Sequence, residues 1–286
     1  MLYLILAVLL SSSISLIMRA GEKHVKNNFA MFLANYIICA SIAGTFLLTS
    51  GKSIELGAKG FILAVCLGAV GGILFLSSFV FMKYNIERNG VMLSTVFMKL
   101  GVLVPSLMAV VIFRESPTAW QIIGFVFAIA AIIIIYLEPK QADGTKSGVN
   151  DSIVYLIALL LLSGLAESLA NIYDKLGTEE MRDLYMFCIF ACAAILSGLI
   201  LIIKRQPVCW KDLLFGVLIG IPNYFCTRFL LLALTSVPAV VTYPVYNIGA
   251  IIIVGIIGAL LFKEKLNIRK AIGFGLIMAA LVFLNI

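Results

Sequence analysis

The sequence predicts an all-α integral membrane protein whose ten transmembrane helices form a 5+5 inverted-topology repeat. Three observations carry this expectation: a large apolar excess, its segregation into ten long blocks, and a self-similarity at an offset of 149 residues.

Of 286 residues, 63% are hydrophobic and only 12% charged, with a mean hydropathy of +1.14. Soluble domains carry roughly 45–50% apolar and about 25% charged residues. A water-soluble fold of this size has too little interior to hide the difference, because its surface must still be solvated.

The blocks are Leu2–Met18, Asn28–Thr49, Gly60–Met82, Gly90–Ile112, Thr118–Tyr136, Ser152–Tyr173, Leu184–Ile203, Asp212–Leu234, Pro238–Phe262 and Ile268–Asn285. About 20 apolar residues at 1.5 Å rise match a hydrocarbon core of roughly 30 Å. Backbone groups there must be satisfied internally, so each block is expected to be a helix. Nearly all Lys, Arg, Asp and Glu fall in the short connections. The first block has no Lys or Arg before Arg19 and no small-residue cleavage site, so it is expected to be a retained span and not a cleaved signal. The longest connection, Leu137–Asn150, is polar and Gly-containing and reads as a linker. The expected organisation is a five-helix half over 1–137, a linker over 138–150 and a second half over 151–286.

Sliding the chain on itself by 149 residues lays Phe113–Phe125 over Phe262–Phe274 without a gap. Phe113/Phe262, Glu115/Glu264, Ile123/Ile272, Gly124/Gly273 and Phe125/Phe274 are identical, and Arg114/Lys263 keeps its charge. Val91/Val240 and Val96/Val245 also match, and at a slightly larger offset Ser11, Ser15 and Arg19 fall over Ser163, Glu167 and Asn171. Five spans is an odd number, so the second half must enter the membrane from the opposite side. Two such halves are related by a pseudo-two-fold axis in the membrane plane, from which alternating access follows.

Ten spans in two halves, with a basic–Glu turn after the fourth (Phe113-Arg114-Glu115) and the ninth (Phe262-Lys263-Glu264), resemble the drug/metabolite transporter superfamily, EamA-like branch. The Thr235–Pro238 link into span nine is similar as well, and the resemblance covers the whole chain. It implies a secondary transporter, multi-pass in the cell membrane (the bacterial inner membrane), acting as an exporter or exchanger and built as a monomer or homodimer. Members of that family move amino acids, sugars, nucleotide sugars, choline-like cations and drugs, so the resemblance names no substrate.

Ionisable groups in the hydrocarbon cost about 2.5–3.5 kcal/mol, so their retention points to a task or a partner. Lys99, Glu167 and Arg228 qualify. Lys99 is nine residues into span four, with Thr95 and Ser106 on its face. It is expected to bind an anionic or zwitterionic substrate or to titrate in proton coupling; the alternative is a purely structural lysine neutralised by Glu167. Glu167 and Arg228 are each about six residues from the end of spans six and eight, roughly 9 Å deep on one side. They are expected to pair or share a cavity; the alternative is an Arg228 that snorkels to the interface. Ser163, Glu167, Asn171 and Asp174 share one face of span six, and Tyr224 precedes Arg228 by one turn. Tyr243, Tyr246 and Asn247 beside Pro244, and Asn223 beside Pro222, are further pocket candidates, or equally interfacial belt and helix–helix glue. Pro105, Pro222 and Pro244 interrupt spans four, eight and nine. Gly68, Gly71, Gly72, Gly216 and Gly220 allow close packing.

The substrate expected from these residues is a small polar metabolite such as an amino acid or organic acid, moved by alternating access. A multidrug or cation efflux carrier and a channel are the alternatives. Cys188 and Cys192, one turn apart, have a spacing compatible with a metal but read as apolar filler, and His24 lies in a loop. No ligand cluster, nucleotide loop or nucleophile–base set is evident, so neither cofactor nor catalysis is expected. The net charge of +7 is spread over loops and implies no nucleic-acid face. Apart from Lys99 and Arg228, odd-numbered loops carry 14 Lys and Arg against five in even-numbered ones, which puts the odd loops in the cytoplasm. The family resemblance implies cytoplasmic termini instead, so orientation stays open.

Overall fold

The computed structural model describes residues 1–49, 60–111, 118–136, 149–234, 236–237, 239–264 and 268–284. They are almost wholly helical, with no strand among them. The helices are α1 (Leu2–Gly21), α2 (Asn28–Thr49), α3 (Phe61–Lys99), α4 (Leu103–Val111), α5 (Ala119–Tyr136), α6 (Val149–Leu176), α7 (Arg182–Lys204), α8 (Trp210–Leu234), α9 (Ala239–Leu261) and α10 (Ile268–Phe283). Short 3₁₀ turns lie at Leu100–Val102 and Glu179–Met181. Among the described residues, six helical stretches are long and apolar enough to cross a membrane, and Ala119–Ile134, Val245–Leu261 and Ala271–Phe283 are shorter apolar helices.

One of the six, Phe61–Met108, is 48 residues long. At 1.5 Å per residue it would extend about 70 Å if straight, more than two hydrocarbon thicknesses. It is divided at Gly90, whose φ of 83° and ψ of 166° are non-helical. The polar stretch Lys83–Asn89, expected to be a loop, is instead the end of the first helical arm, and Gly90 alone makes the turn into the second. The expected single helix over Gly90–Ile112 is also broken, by the 3₁₀ turn after Lys99. Pro105 explains this: it has no N–H for the carbonyl of Gly101, and its ring crowds that carbonyl. Asn28–Thr49 is helical over the expected range.

Large apolar side chains cover the outside. Ile62, Ile195, Ile202, Ile203, Leu260 and Leu261 are all well over half exposed, a surface that only lipid makes tolerable. With lipid outside, burial of apolar area does little to hold helices together; close backbone approach does more. Glycines provide it in matched places. A Cβ on Gly68 or Gly72 of α3 would collide with Cys188, Ile189 and Cys192 of α7. A Cβ on Gly216 or Gly220 of α8 would collide with Met31, Ala34 and Asn35 of α2. Gly101 and Gly164 likewise bring the 3₁₀ turn against α6.

The principal neighbour relations are matched when the helices of the two expected halves are exchanged. α3 packs on α7 as α8 packs on α2, and the first arm of α3 meets α6 as α8 meets α1. The second arm meets α6 as α9 meets α1. α2 lies against α7, its counterpart, with Leu33 at Gly198 and Gly44 at Phe187, so the two run antiparallel. α5 lies against α10 in the same sense: Trp120, at the start of α5, stacks on Phe283, at the end of α10, with centroids 5.6 Å apart.

Candidate functional site

The site is built where α1, α3, α6, α8 and α9 converge beside the break in the fourth span. Lys99 is the last residue of α3 and only 5% exposed. Its Nζ donates to Ser11 Oγ of α1 at 3.0 Å and lies 3.8 Å from the ring centroid of Tyr246 on α9. Glu167 of α6 and Cys226 of α8 are its electrostatic neighbours. No ion pair joins Lys99 to Glu167, whose carboxylate acts on the ammonium from beyond ion-pair distance. The Cys226 thiol is 3.2 Å from the Tyr246 hydroxyl and 3.5 Å from the Ala7 carbonyl oxygen.

Two polar atoms near this break have no hydrogen-bond partner. Thr95 Oγ1, one turn before Lys99, is buried and unsatisfied, and so is Asn247 Oδ1, next to Tyr246. A buried polar atom left unpaired costs about 1–3 kcal/mol, which a bound solute or water can recover. Ser163 Oγ donates to the carbonyls of Met98 and Leu160, both at 3.1 Å, and so occupies one acceptor released near the helix break. The Lys99 ammonium thus lies on the Tyr246 ring with the Glu167 carboxylate in its electrostatic neighbourhood, and the helices that carry Lys99 and Tyr246 each hold one buried oxygen without a partner. That set can hold a small molecule by both ends.

Two expectations need correction. Arg228 does not pair with Glu167. Its Nη1 is 3.6 Å from Asp183 Oδ1 at the start of α7 and donates to the Tyr224 hydroxyl at 3.3 Å, while its guanidinium covers the Phe46 ring at 3.8 Å. The long side chain reaches along α8 to the helix-end acid, which is snorkelling, and leaves Glu167 facing Lys99. Asn223 belongs elsewhere too: its Nδ2 donates to Asn35 Oδ1 at 3.2 Å, in the glycine seam between α2 and α8. Tyr224 is buried beside Phe46, with which it stacks at 5.8 Å. Tyr243 is half-buried on α9. Among the sequence-derived residues, the structure thus brings together Lys99, Glu167 and Tyr246, with Thr95 one turn before Lys99 and Asn247 following Tyr246 in the chain, and separates Arg228, Tyr224 and Asn223. The side chains of Asn171 and Asp174 lie outside the described residues. Cys188 and Cys192 lie in the α3–α7 seam, where the Cys192 thiol donates to the Ala69 carbonyl at 3.3 Å.

Ser11 as a partner of Lys99 and Cys226 as its electrostatic neighbour were not foreseen. Ser11 had a signal, its alignment with Ser163 in the repeat; Cys226 is a single thiol in an apolar helix and had none.

Residues 154–286 match the EamA-like transporter family. An uncharacterised protein of Haemophilus influenzae (strain ATCC 51907 / DSM 11121 / KW20 / Rd) is 28% identical over 199 residues, covering 68% of this chain and 67% of that protein. The uncharacterised membrane protein YvaE of Bacillus subtilis (strain 168) is 38% identical over 58 residues, 20% of this chain and 49% of YvaE. A solved crystal structure superposes with a TM-score of 0.64 over 99% of this chain and 94% of its own, at 15% identity, a likeness of fold alone. The match over residues 154–286, just under half of the chain, makes its second half similar to the EamA-like transporter family.

Proposed function

We propose that this membrane transporter carries a small anionic or zwitterionic metabolite, of the size of an amino acid or organic acid, by alternating access around Lys99. In this reading the chain crosses the bilayer ten times as two oppositely inserted halves, 1–137 and 151–286, joined by 138–150. The antiparallel packing of α2 on α7 and of α5 on α10 supports opposite insertion, since each helix meets its own counterpart head to tail. Export or exchange across the bacterial inner membrane is the direction proposed.

The observation that carries the substrate class is the charge of the site. Lys99 is buried at a helix break, bonded to a neutral hydroxyl and not to a carboxylate, and its ammonium already covers the Tyr246 ring that a cationic solute would need. A solute carboxylate can replace Ser11 as its partner, while Glu167 is suited to an ammonium at the solute's other end. Glu167 facing Lys99 also provides a pair that can exchange a proton as the solute arrives. Cation efflux is the second reading, favoured by the same aromatic face and carboxylate should Lys99 withdraw. A thermal-shift screen of amino acids, organic acids, sugars and cations on purified protein, repeated on Lys99→Ala, tests this. The expected result is stabilisation by carboxylate-bearing solutes that disappears in Lys99→Ala. Stabilisation by cations alone, retained or strengthened in Lys99→Ala, contradicts the proposed class.

A further inference from the structure

A second ionic cluster lies at one end of the bundle, about 12 Å along the second arm of α3 from Lys99 at 1.5 Å per residue. Glu264, just beyond α9, accepts the backbone N–H of Val91 at 2.8 Å and of Met92 at 3.2 Å, capping the helical arm that carries Thr95 and Lys99. The same carboxylate lies 3.3 Å from Arg19 Nε at the end of α1, and Arg19 also pairs with Glu22 and donates to the Ile86 carbonyl at 3.2 Å. Gly90 makes the approach feasible, because a Cβ there would sit 2.7 Å from Glu264 Oε1. Arg19, Gly90 and Glu264 line a cleft of about 230 Å³. At the same end, the Asp212 carboxylate accepts the Lys26 N–H at 2.8 Å, and Asn27 reaches the carbonyls of Gln206 and Pro207 at 3.4 Å. One side chain from the second half therefore ties two elements of the first.

We propose that Glu264 is a latch: its carboxylate holds α1, the Gly90 turn and α9 together, closes the Lys99 pocket on this side, and must release for the pocket to open here. This rests on the alternating-access reading. Glu264 is a positioning residue, acting on Lys99 through the helical arm it caps. Release is a change of partner, not of covalent structure: water takes over the Val91 and Met92 N–H groups, and Arg19 keeps Glu22.

Cys226 provides a native reporter, being buried in the pocket and in contact with Tyr246. The full chain is treated with a membrane-impermeant maleimide in whole cells and in inside-out vesicles, and alkylation of the Cys226 peptide is read by mass spectrometry. Lys23→Cys, an exposed position beyond α1, marks the latch side. Glu264→Gln keeps one acceptor but loses the charge, whereas Arg19→Gln leaves the cap and removes the Arg19 pairs with Glu264 and Glu22 and its bond to the Ile86 carbonyl. Arg88→Gln removes an exposed cation at the same end, stacked on Tyr84 and Tyr155, and serves as the control. Both latch variants are expected to raise Cys226 labelling from the latch side, Glu264→Gln the more, by a factor within the roughly 5–150-fold span of typical coupling between sites. The control is expected to match the parent. Unchanged sidedness in both variants overturns the latch and leaves the pocket standing. Labelling from neither side in any variant, with the Lys23→Cys marker reactive, overturns the pocket and the latch with it.

Discussion

Gly90→Ala concentrates the physical argument of the cap in one methyl group. Gly90 holds φ 83° and ψ 166°, a region nearly closed to L-residues, where a side chain costs about 1–3 kcal/mol. The added Cβ would also stand 2.7 Å from one Glu264 carboxylate oxygen and 2.8 Å from the other, so the carboxylate must withdraw from the Val91 and Met92 N–H groups. Hydrogen bonds to a charged group contribute about 1.5–3 kcal/mol; counting one of the two, because the freed N–H groups can take up water, gives a total of roughly 3–6 kcal/mol. At about 2 °C per kcal/mol for a large domain, the midpoint of thermal unfolding in detergent should fall by roughly 6–12 °C. In a Glu264→Ala background the cap is already gone, and the same substitution should cost only the backbone part, about 1–3 kcal/mol. A Gly90→Ala effect equal in both backgrounds to within about 0.5 kcal/mol would refute the reasoning, because contacting groups must couple.

Three further expectations follow the same geometry. Lys99→Met leaves Glu167 buried without its cation, and adding Glu167→Gln should restore part of the lost stability; a coupling of about 1–3 kcal/mol from the unfolding midpoints checks this, and strict additivity would contradict it. Gly164→Ala pushes a methyl against Val104 and the Gly101 backbone and should destabilise by about 1–3 kcal/mol through overpacking, again read from thermal unfolding, whereas no loss would mean that α6 is not held closely at the 3₁₀ turn. Arg228→Gln, removing a part-exposed pair with Asp183, should cost less than about 1 kcal/mol and show no coupling to Glu167→Gln; a strong coupling would restore the pairing that the structure does not contain.

The membrane class and most helices were legible because length, apolarity and the obligation to satisfy the backbone leave little freedom at the level of a span. Asn28–Thr49 is matched to the residue, and Lys99 drew attention because a charge among apolar neighbours is conspicuous. Partners were less legible. Arg228 and Glu167 have similar depths, but depth fixes only one coordinate; rotation about each helix axis sends Arg228 toward Asp183 and Glu167 toward Lys99. Lys83–Asn89 looked like a loop because it is polar, yet a helix can continue past the bilayer, and the real turn is one glycine held open by an acid 174 residues away in sequence. That acid belongs to the repeated basic–Glu motif, whose meaning appears only when Glu264 is found on the Val91 and Met92 N–H groups. Its counterpart Glu115 lies outside the described residues. The glycines Gly68, Gly72, Gly216 and Gly220, read from sequence as permitting close packing, do so in two seams, and the pairs keep a common offset of 148 residues.

The central claim, a solute pocket at Lys99 reached in turn from the two sides, is tested most directly by counter-flow in proteoliposomes. Vesicles loaded with an amino or organic acid that stabilises the purified protein should take up the labelled solute transiently above equilibrium, saturably, and Lys99→Met should abolish the overshoot while remaining folded by its unfolding transition. Uptake that never exceeds equilibrium, or an overshoot of unchanged affinity in Lys99→Met, would contradict the account.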